Sequence, residues 1–399
     1  MWRLPRRLIA PAGIVALVAS VACGSTGPSR QVDFTGSIHM VTATTGWASA
    51  YEPRSAGVLI LRTTNAGALW HDVSPPGTFA SGTPAAFTDS DHAWLLDLAS
   101  PGRLRVSRTA DGGATWQQVA VDDAQVQAPS SFGLGYISFA DLVHGWFFVG
   151  YDYNGNEDGA LYRSTDGGAS WALVSATDAG HGLGNGLPWQ GGKEALTFVD
   201  ATTGWLSAAT YEPAPYLYIT HDAGVTWKQV VYPLPPGVSD LGDHAVSGPQ
   251  FFSPSRGIFE VLAGNSYVYR TGDGGATWTL TTSPGCCNDF FVDMQHGWSM
   301  TPEGPAAQDL YATSDGGDHW KRVASGINAQ TPAEVQNHFI TNVVGLDFVS
   351  PNVGFAVRES GQPVLLYAPR SPAPKFNPPS LLKTTDGGAT WSDVTYIVE

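Results

Sequence analysis

The side chains of this chain best suited to metal binding or catalysis are carboxylates that recur five positions before a tryptophan. Six copies begin with aspartate and the first with asparagine, giving the pairs Asn65/Trp70, Asp111/Trp116, Asp166/Trp171, Asp222/Trp227, Asp273/Trp278, Asp315/Trp320 and Asp386/Trp391. Carboxylates bind metal ions and tryptophans stack on sugars. However, each copy has glycine two positions after the carboxylate, which is typical of a tight turn. We therefore interpret the six aspartates as structural turn residues, and we expect no metal site and no cofactor.

Trp189 stands outside every repeated motif of the mature chain. It lies in the glycine-rich segment 181–193, which begins with His181. An aromatic ring on a binding face stacks on a sugar or anchors a partner protein. Alternatively, the ring plugs the mouth of a channel. With both alternatives open, Trp189 and His181 are candidate ligand-binding residues.

A Tyr-Glu-Pro triplet occurs twice, once at Tyr51 and Glu52 and again at Tyr211 and Glu212. Each triplet follows a Gly-Trp pair, so the two copies are expected in equivalent loops. Their repetition favours an inherited loop shape. It also places two tyrosines and two glutamates among the candidate ligand-binding residues.

Cys286 and Cys287 are adjacent in the sequence. Outside the cytosol, such a pair can form a strained disulfide that stiffens a loop. The alternative is a soft metal bound by two thiols, but neither methionine nor histidine stands beside them. We favour the disulfide.

The segment from Asp152 to Asp158 carries oxygen-bearing side chains at alternate positions, as a calcium-binding loop would. It lacks glycine at the sixth position, and Arg163 stands at the twelfth, where such loops have an acid. We therefore expect a solvated acidic loop.

The N-terminus has the features of an export signal. Three arginines precede an apolar run from Leu8 to Ala22, which predicts a signal peptide at 1–22. Cleavage there would leave Cys23 at the new N-terminus, an arrangement that resembles a bacterial lipobox. We expect 23–33 to be a lipoprotein leader, with simple secretion as the alternative, and the cell envelope as the location.

Composition excludes several classes of protein. The 20 basic and 35 acidic residues give a formal charge of -15, and such a chain repels nucleic acid. Three cysteines in 399 residues exclude a disulfide scaffold. The 47 glycines and 28 prolines indicate many tight turns.

A second motif, Phe-x-Asp-x-x-x-Gly-Trp in its full form, precedes each carboxylate turn. Its copies end at Trp47, Trp94, Trp146, Trp205, Ile258, Trp298 and Phe355. The two motifs alternate over 34–399 with a period of about 52 residues, which fits four short strands per repeat. In the third repeat we predict strands at 136–139, 146–150, 160–164 and 170–174. Seven such sheets bury both faces by stacking radially, so the predicted fold is an all-β, seven-bladed β-propeller.

The carboxylate turn resembles the BNR or Asp-box repeat of sialidase-like propellers. Combined with the second motif, it is similar to the photosystem II stability and assembly factor-like branch. The resemblance covers 34–399 and implies a propeller with an Asp box between strands three and four of each blade. It also implies that ligands bind at the opposite face, where the loops between strands two and three and between strands four and one lie.

Asp boxes occur both in enzymes and in non-enzymatic scaffolds. A sialidase-like glycosidase needs a Tyr–Glu nucleophile pair and an arginine cluster for the substrate carboxylate. The expected loops offer only scattered arginines, namely Arg54, Arg103, Arg358 and Arg370. We therefore predict a non-catalytic binding or assembly scaffold, with a glycan-binding propeller or a sialidase-like glycosidase as alternatives. The expected partner of this monomer is an envelope protein or an extracellular glycan, and its only membrane contact is a lipid anchor.

Overall fold

The computed structural model consists of β-strands and turns throughout the part of the chain that it describes. The described residues are 30–53, 57–77, 79, 82–100, 103–121, 134–153, 156–177, 186–209, 216–235, 245–263, 265–285, 287–302, 308–329, 340–361 and 379–399. Within these ranges, no helix has the length and apolar character needed to span a membrane.

The strands form seven sheets that follow one another in chain order and are antiparallel except for the last strand, which confirms the predicted seven-bladed β-propeller. Blades one to four contain β1 (Asp33–Met40), β2 (Gly46–Glu52), β3 (Gly57–Thr63) and β4 (Leu69–Asp72); β5 (Ala85–Phe87), β6 (Ala93–Ser100), β7 (Arg103–Thr109) and β8 (Gln117–Val121); β9 (Leu134–Phe139), β10 (Gly145–Tyr153), β11 (Asn156–Ser164) and β12 (Ala172–Ala176); β13 (Gly192–Phe198), β14 (Gly204–Ala209), β15 (Tyr216–Thr220) and β16 (Lys228–Gln229).

Blades five to seven repeat the pattern, except that the first strand of blade five is split in two. They contain β17 (Ala245–Val246), β18 (Gln250–Ser253), β19 (Arg256–Ala263), β20 (Asn265–Thr271) and β21 (Thr279–Ser283); β22 (Cys287–Phe291), β23 (Gly297–Met300), β24 (Asp309–Thr313) and β25 (Lys321–Ser325); β26 (Ile340–Phe348), β27 (Gly354–Gly361), β28 (Ser380–Thr384) and β29 (Ser392–Val394). Pro249 lies at the split and has no N–H to donate to a ladder.

Both ends of the described chain meet on blade one. The last strand, β30 (Ile397–Val398), runs parallel to β4 and extends this sheet to five strands. At the other end, the Arg30 N–H donates to the Val398 carbonyl at 3.1 Å. This closure carries no repeated motif, so the sequence did not predict it.

Each Asp box lies beside the turn between strands one and two of its own blade. In blade three, for example, the N–H of Gly167 in the box donates to the carbonyl of Val143 in that turn, at 2.9 Å. These turns and boxes therefore share one end of the ring, which we term the box face. The connections between strands two and three and between strands four and one lie at the other end, the loop face.

The second motif places an aromatic ring over a glycine. In blade three, a Cβ atom added to Gly145 would lie only 2.4 Å from the ring of Phe139. The same overlap, at 2.5 Å, arises between Gly204 and Phe198. The glycine of the motif therefore makes room for the phenylalanine six positions earlier.

The tryptophan of the same motif joins one blade to the next. Trp146 of blade three stacks on Phe198 of blade four, with ring centroids 3.7 Å apart and an interplanar angle of 3°. Its indole N–H donates to the Ala223 carbonyl of blade four at 3.0 Å. Trp298 and Phe348 stack in the same way across the seam between blades six and seven, at 3.5 Å.

The seam between blades five and six lacks this stack, as does the closing seam between blades seven and one, where the motif ends in Phe355. Ile258 replaces the tryptophan between blades five and six, and the buried apolar cluster of this seam consists of Ile258, Val268 and Phe291. Because an isoleucine has no ring to stack on Phe291, this seam lacks the contact that joins blade three to blade four.

The prediction of a solvated acidic loop from Asp152 to Asp158 is wrong for the described residues of this segment. Strand β10 extends to Tyr153 and β11 begins at Asn156, and the two strands pair with Asp152 opposite Glu157 and Tyr153 opposite Asn156.

Candidate functional site

Each Asp-box carboxylate is held by its own turn, as Asp273 illustrates. Its Oδ1 accepts hydrogen bonds from the Thr271 hydroxyl at 2.8 Å and from the Thr277 N–H at 2.9 Å, and its Oδ2 accepts the Thr277 hydroxyl at 2.7 Å. These bonds, the Thr277 hydroxyl first, lower the pKa of Asp273 to about 2. Equivalent bonds hold the other five, Asp111, Asp166, Asp222, Asp315 and Asp386. The structure thus places all six aspartates in the same turn geometry.

Basic side chains at the end of strand three reach from one blade to the next on the box face. Arg108 donates to the Gly167 carbonyl at 3.0 Å, and Arg163 to the Ala201 carbonyl at 3.1 Å. Arg62, Arg270 and Lys383 make equivalent contacts. These cations hold blades together, so they do not form an arginine cluster at the loop face.

Tyr51 and Glu52 lie at the end of β2, close to the loop face. Glu52 is buried, and its Oε1 pairs with the Arg30 guanidinium at 3.1 Å. Tyr51 is half-buried. The carboxylate of this triplet is therefore engaged in an ion pair that ties down the N-terminal segment.

Several of the predicted residues lie outside the described residues, namely His181, Tyr211, Glu212, Cys23 and Cys286, together with Arg54 and Arg370. The backbone of Cys287 lies in β22, opposite Met300. Arg358 is described, and its guanidinium contacts the Ser380 hydroxyl at 3.3 Å and the Asp393 carboxylate at 3.7 Å.

Trp189 is half-buried in a segment that runs along blade four. Gly186 packs so closely on the box of this blade that an added Cβ would lie 2.5 Å from the Val225 carbonyl oxygen. Leu187 is fully buried between blades three and four, and Gly191 lies against the Ala209 carbonyl near the loop face. Among the described residues, the indole N–H of Trp189 has no hydrogen-bond acceptor.

A cleft of about 480 Å³ opens on the box face between blades two and three. Its walls include Arg108, Gln117 and the two box carboxylates Asp111 and Asp166. The Oε1 of Gln117 accepts both Nε and Nη2 of Arg108, at 3.1 and 2.7 Å, which fixes the two side chains relative to each other. The volume is in the range of small-ligand sites. The sequence did not predict this cleft, because the family resemblance implied binding on the opposite face.

Two seams contain buried carboxylates that belong to neither motif. Burial raises the pKa of Asp347, in β26, to about 6. Glu260 and Asp289 face each other between blades five and six, where burial and then the charge of Asp289 raise the pKa of Glu260 to about 8. Burial also raises the pKa of Asp289. Among the described residues, no three His, Cys, Asp or Glu side chains lie together as a metal-binding group.

Comparison with known proteins supports the fold. A xyloglucanase of a Paenibacillus species is 26% identical to this chain over 261 residues. Among solved structures, the GH74 xyloglucanase of Xanthomonas campestris has a TM-score of 0.50 at 18% identity, over 86% of this chain and 54% of that one. YCF48 of Cyanidioschyzon merolae has a TM-score of 0.47 at 15% identity, over 79% of this chain and 86% of that one. The propeller fold that the family resemblance implies is confirmed.

The comparisons do not define a family for the chain. No family model matches the sequence. The aligned residues are 55% of this chain but only 23% of the Paenibacillus xyloglucanase, so the chain spans about a quarter of that curated relative.

Proposed function

We propose that this protein is a non-catalytic, extracytoplasmic propeller that binds a partner through its loop face. The observation that carries this proposal is that the arginine side chains are already engaged within the fold. Apart from Arg256, every arginine whose side chain the structure describes is paired with a carboxylate or donates to a neighbouring group. A glycosidase that acts on an anionic sugar needs free guanidinium groups at its site.

The described carboxylates support the same function. Those of the Asp boxes each accept hydrogen bonds within their own turn, and Glu52 is paired with Arg30. Asp347 and the pair of Glu260 and Asp289 lie between blades. Asp111 and Asp166 line the cleft on the box face, but the hydroxyl and the N–H of its own turn hold each carboxylate, so neither is free to act as the acid or the nucleophile that glycoside hydrolysis requires.

The loop face is the better candidate for recognition because its connections differ from blade to blade. One residue, 264, joins β19 to β20, whereas residues 362–379 join β27 to β28. By contrast, the box face repeats the same turns around the ring. Variable loops on a rigid scaffold are the usual location of binding residues.

A second candidate function is the binding or cleavage of a polysaccharide. It is favoured by the similarity to the Paenibacillus xyloglucanase. In this case Trp189, half-buried in the segment that runs along blade four, would stack on a sugar ring.

The binding experiment uses purified mature protein with two sets of ligands. One is a glycan array that includes xyloglucan, and the other is the envelope fraction of the host, treated with a cross-linker and analysed by mass spectrometry. We expect one envelope partner whose binding to the labelled protein is saturable and is reduced by an excess of unlabelled protein. Retention by xyloglucan alone would favour the second candidate, and failure of both sets to bind would contradict the proposal.

The proposed location rests on the leader that the sequence predicts. Replacing Cys23 with alanine should move the protein from the membrane fraction to the soluble envelope fraction or the medium, because lipidation at this residue would be lost. Wild-type protein that is already found entirely in the medium would mean simple secretion. Wild-type protein in the cytoplasm would contradict an extracytoplasmic function.

A further inference from the structure

The seam between blades five and six contains two carboxylates at positions where most other blades have apolar side chains. By the register of the second motif, Glu260 corresponds to Leu96, Phe148, Met300 and Val357 in blades two, three, six and seven, all of which are buried. Asp289 corresponds to Ile38, Ile137, Leu196 and Leu346 in blades one, three, four and seven. Two acids buried at one seam are neutralised either by a proton, which burial and the charge of Asp289 favour on Glu260, or by a positive group.

The two carboxylates are close enough to share ligands. The Ser266 hydroxyl hydrogen-bonds to Glu260 Oε1 and contacts Asp289 Oδ2 at 3.0 Å. The backbone N–H of Asp289 donates to Glu260 Oε2 at 3.3 Å. One small group therefore already bridges the carboxylate of blade five and that of blade six.

Further oxygen atoms surround Asp289. The hydroxyls of Ser283 and Ser299 approach its carboxylate and lie 3.2 Å from each other. Close packing seals this side, because a Cβ added to Gly285 would lie 2.3 Å from the Ser299 hydroxyl oxygen. Together the two carboxylates and three serines form a set of oxygen donors, which we term the acid seam: Glu260, Ser266, Ser283, Asp289 and Ser299.

One oxygen atom of the acid seam lacks a partner. Asp289 Oδ1 is fully buried and makes no hydrogen bond. Neither Glu260 nor Asp289 pairs with a basic side chain in the part of the chain that the structure describes. Two other buried acids do have such a partner, since Asp97 pairs with Arg105 and Glu52 with Arg30. An orphaned, buried carboxylate oxygen beside a second carboxylate is the local chemistry of a cation site.

We propose that the acid seam binds one calcium ion, which joins blade five to blade six. Calcium takes six to eight oxygen ligands at about 2.3–2.6 Å and accepts irregular geometry, so carboxylates, hydroxyls and water can complete its shell. Its two positive charges balance Glu260 and Asp289. The ion takes over the bridging position of the Ser266 hydroxyl proton. Magnesium is a poorer match because it demands strict octahedral geometry at shorter distances.

The position of the site gives the ion a structural role. This seam lacks the Trp–Phe stack that joins blade three to blade four, because Ile258 stands in place of the tryptophan. The bound ion supplies a contact between blades that apolar packing supplies elsewhere. This role does not depend on which partner the loop face binds.

The test measures calcium binding and thermal stability on the same mature protein. Protein treated with EDTA is dialysed into metal-free buffer at pH 7.5 and titrated with CaCl₂ by calorimetry and by thermal unfolding. We expect one calcium per chain and a rise in Tm of about 2–6 °C at saturation, with a smaller rise for MgCl₂. Weak calcium sites in proteins have dissociation constants of up to about 1 mM. No binding and no change in Tm at calcium concentrations up to about 10 mM would therefore overturn the proposal.

Variants locate the ion. In Glu260→Gln and Asp289→Asn, the calcium-dependent rise in Tm should disappear, while Tm in EDTA should equal or exceed that of the wild type because the repulsion between the acids is gone. Asp347→Asn is the matched control, since it alters a buried carboxylate at another seam and should keep the full calcium response. A response that persists in Glu260→Gln would place the ion elsewhere and contradict the site.

Discussion

The carboxylate of Asp347 in blade seven accepts a hydrogen bond from the backbone N–H of Met40 in blade one. This bond links the last blade to the first, beside the seam that closes the ring. Burial raises the pKa of Asp347 to about 6, although the bond from Met40 opposes this shift. The folded state therefore binds the proton of Asp347 more tightly than the unfolded chain does. The stability gained from the neutral acid is complete below about pH 4 and is lost as the pH rises through about 6.

Replacing Asp347 with asparagine should make the protein more stable at neutral pH. The amide keeps an acceptor for the Met40 N–H but has no charge to bury. The rise in the pKa of Asp347 from 3.8 to about 6 means that the ionised carboxylate destabilises the folded state by at most ~3 kcal/mol. We expect a gain of about 1–3 kcal/mol at pH 7.5 in urea unfolding, which shrinks towards zero at pH 4. A variant that is less stable than the wild type at pH 7.5 would show that the buried charge of Asp347 does not destabilise the fold.

Replacing Asp273 with alanine should destabilise the fold without affecting binding. The side chain accepts three hydrogen bonds within its turn, and alanine accepts none. We expect Tm to fall by about 2–4 °C at pH 7. Because these bonds, the Thr277 hydroxyl first, lower the pKa of Asp273 to about 2, their benefit is present above about pH 4 and is lost towards pH 2. The Tm of Asp273→Asn, which retains one acceptor oxygen, should lie between those of the wild type and Asp273→Ala. An unchanged Tm for Asp273→Ala would refute a structural role.

Replacing Trp146 with alanine should weaken the seam between blades three and four. The change removes the stack on Phe198 and the hydrogen bond to the Ala223 carbonyl. Large-to-small changes at buried aromatic positions cost about 3–5 kcal/mol. The control is Leu142→Ala on the box face of the same blade, where the side chain is 44% exposed, with an expected cost within about 0.5 kcal/mol. Equal costs for the two variants in urea unfolding would be evidence against the stack as a main contact between blades.

Replacing Trp189 with alanine should reduce binding far more than stability. The ring is half-buried and lies outside both repeated motifs, and loss of an aromatic anchor costs about 1–3 kcal/mol of binding. The measurement is the affinity for the cross-linked envelope partner or for xyloglucan, together with Tm. Leu187→Ala is the control in the same segment, because Leu187 is fully buried and should lower Tm instead. If Trp189→Ala lowers Tm and leaves affinity unchanged, the ring packs against the propeller and does not contact the ligand.

The repeated motifs predict most of the architecture, because each carries a local physical cause. Glycine two positions after Asp273 adopts a positive φ of 87°, as the turn requires. In the third repeat the predicted strand 160–164 lies within β11, whose observed start is four residues earlier, at Asn156. The second strand of that repeat also extends further, to Tyr153, and pairs with β11 along its whole length, so the hairpin continues beyond the predicted end.

Other features depend on contacts between distant parts of the chain and carry no repeating signal. The pairing of β30 with β4 joins residues more than three hundred positions apart, and only the closed ring brings them together. Ala66 and Ala223 adopt positive φ values of 61° and 63° in boxes where glycine is usual, because the rest of the turn imposes the conformation. The acid seam did have a sequence signal, since aligning the repeats shows Glu260 where four other copies are apolar. Its pairing with Asp289 depends on the packing of blade five against blade six, which the pattern of the repeats does not specify.

A turnover assay measures most directly whether this propeller binds its ligand without hydrolysing it. Purified mature protein is incubated with a fluorogenic sialoside and, separately, with xyloglucan, and the release of fluorophore and of reducing ends is followed over time. We predict release at the rate of buffer alone for both substrates at every protein concentration. Release that rises with protein concentration and is lost in Tyr211→Phe or Glu212→Gln would contradict binding without hydrolysis and identify the protein as a glycosidase.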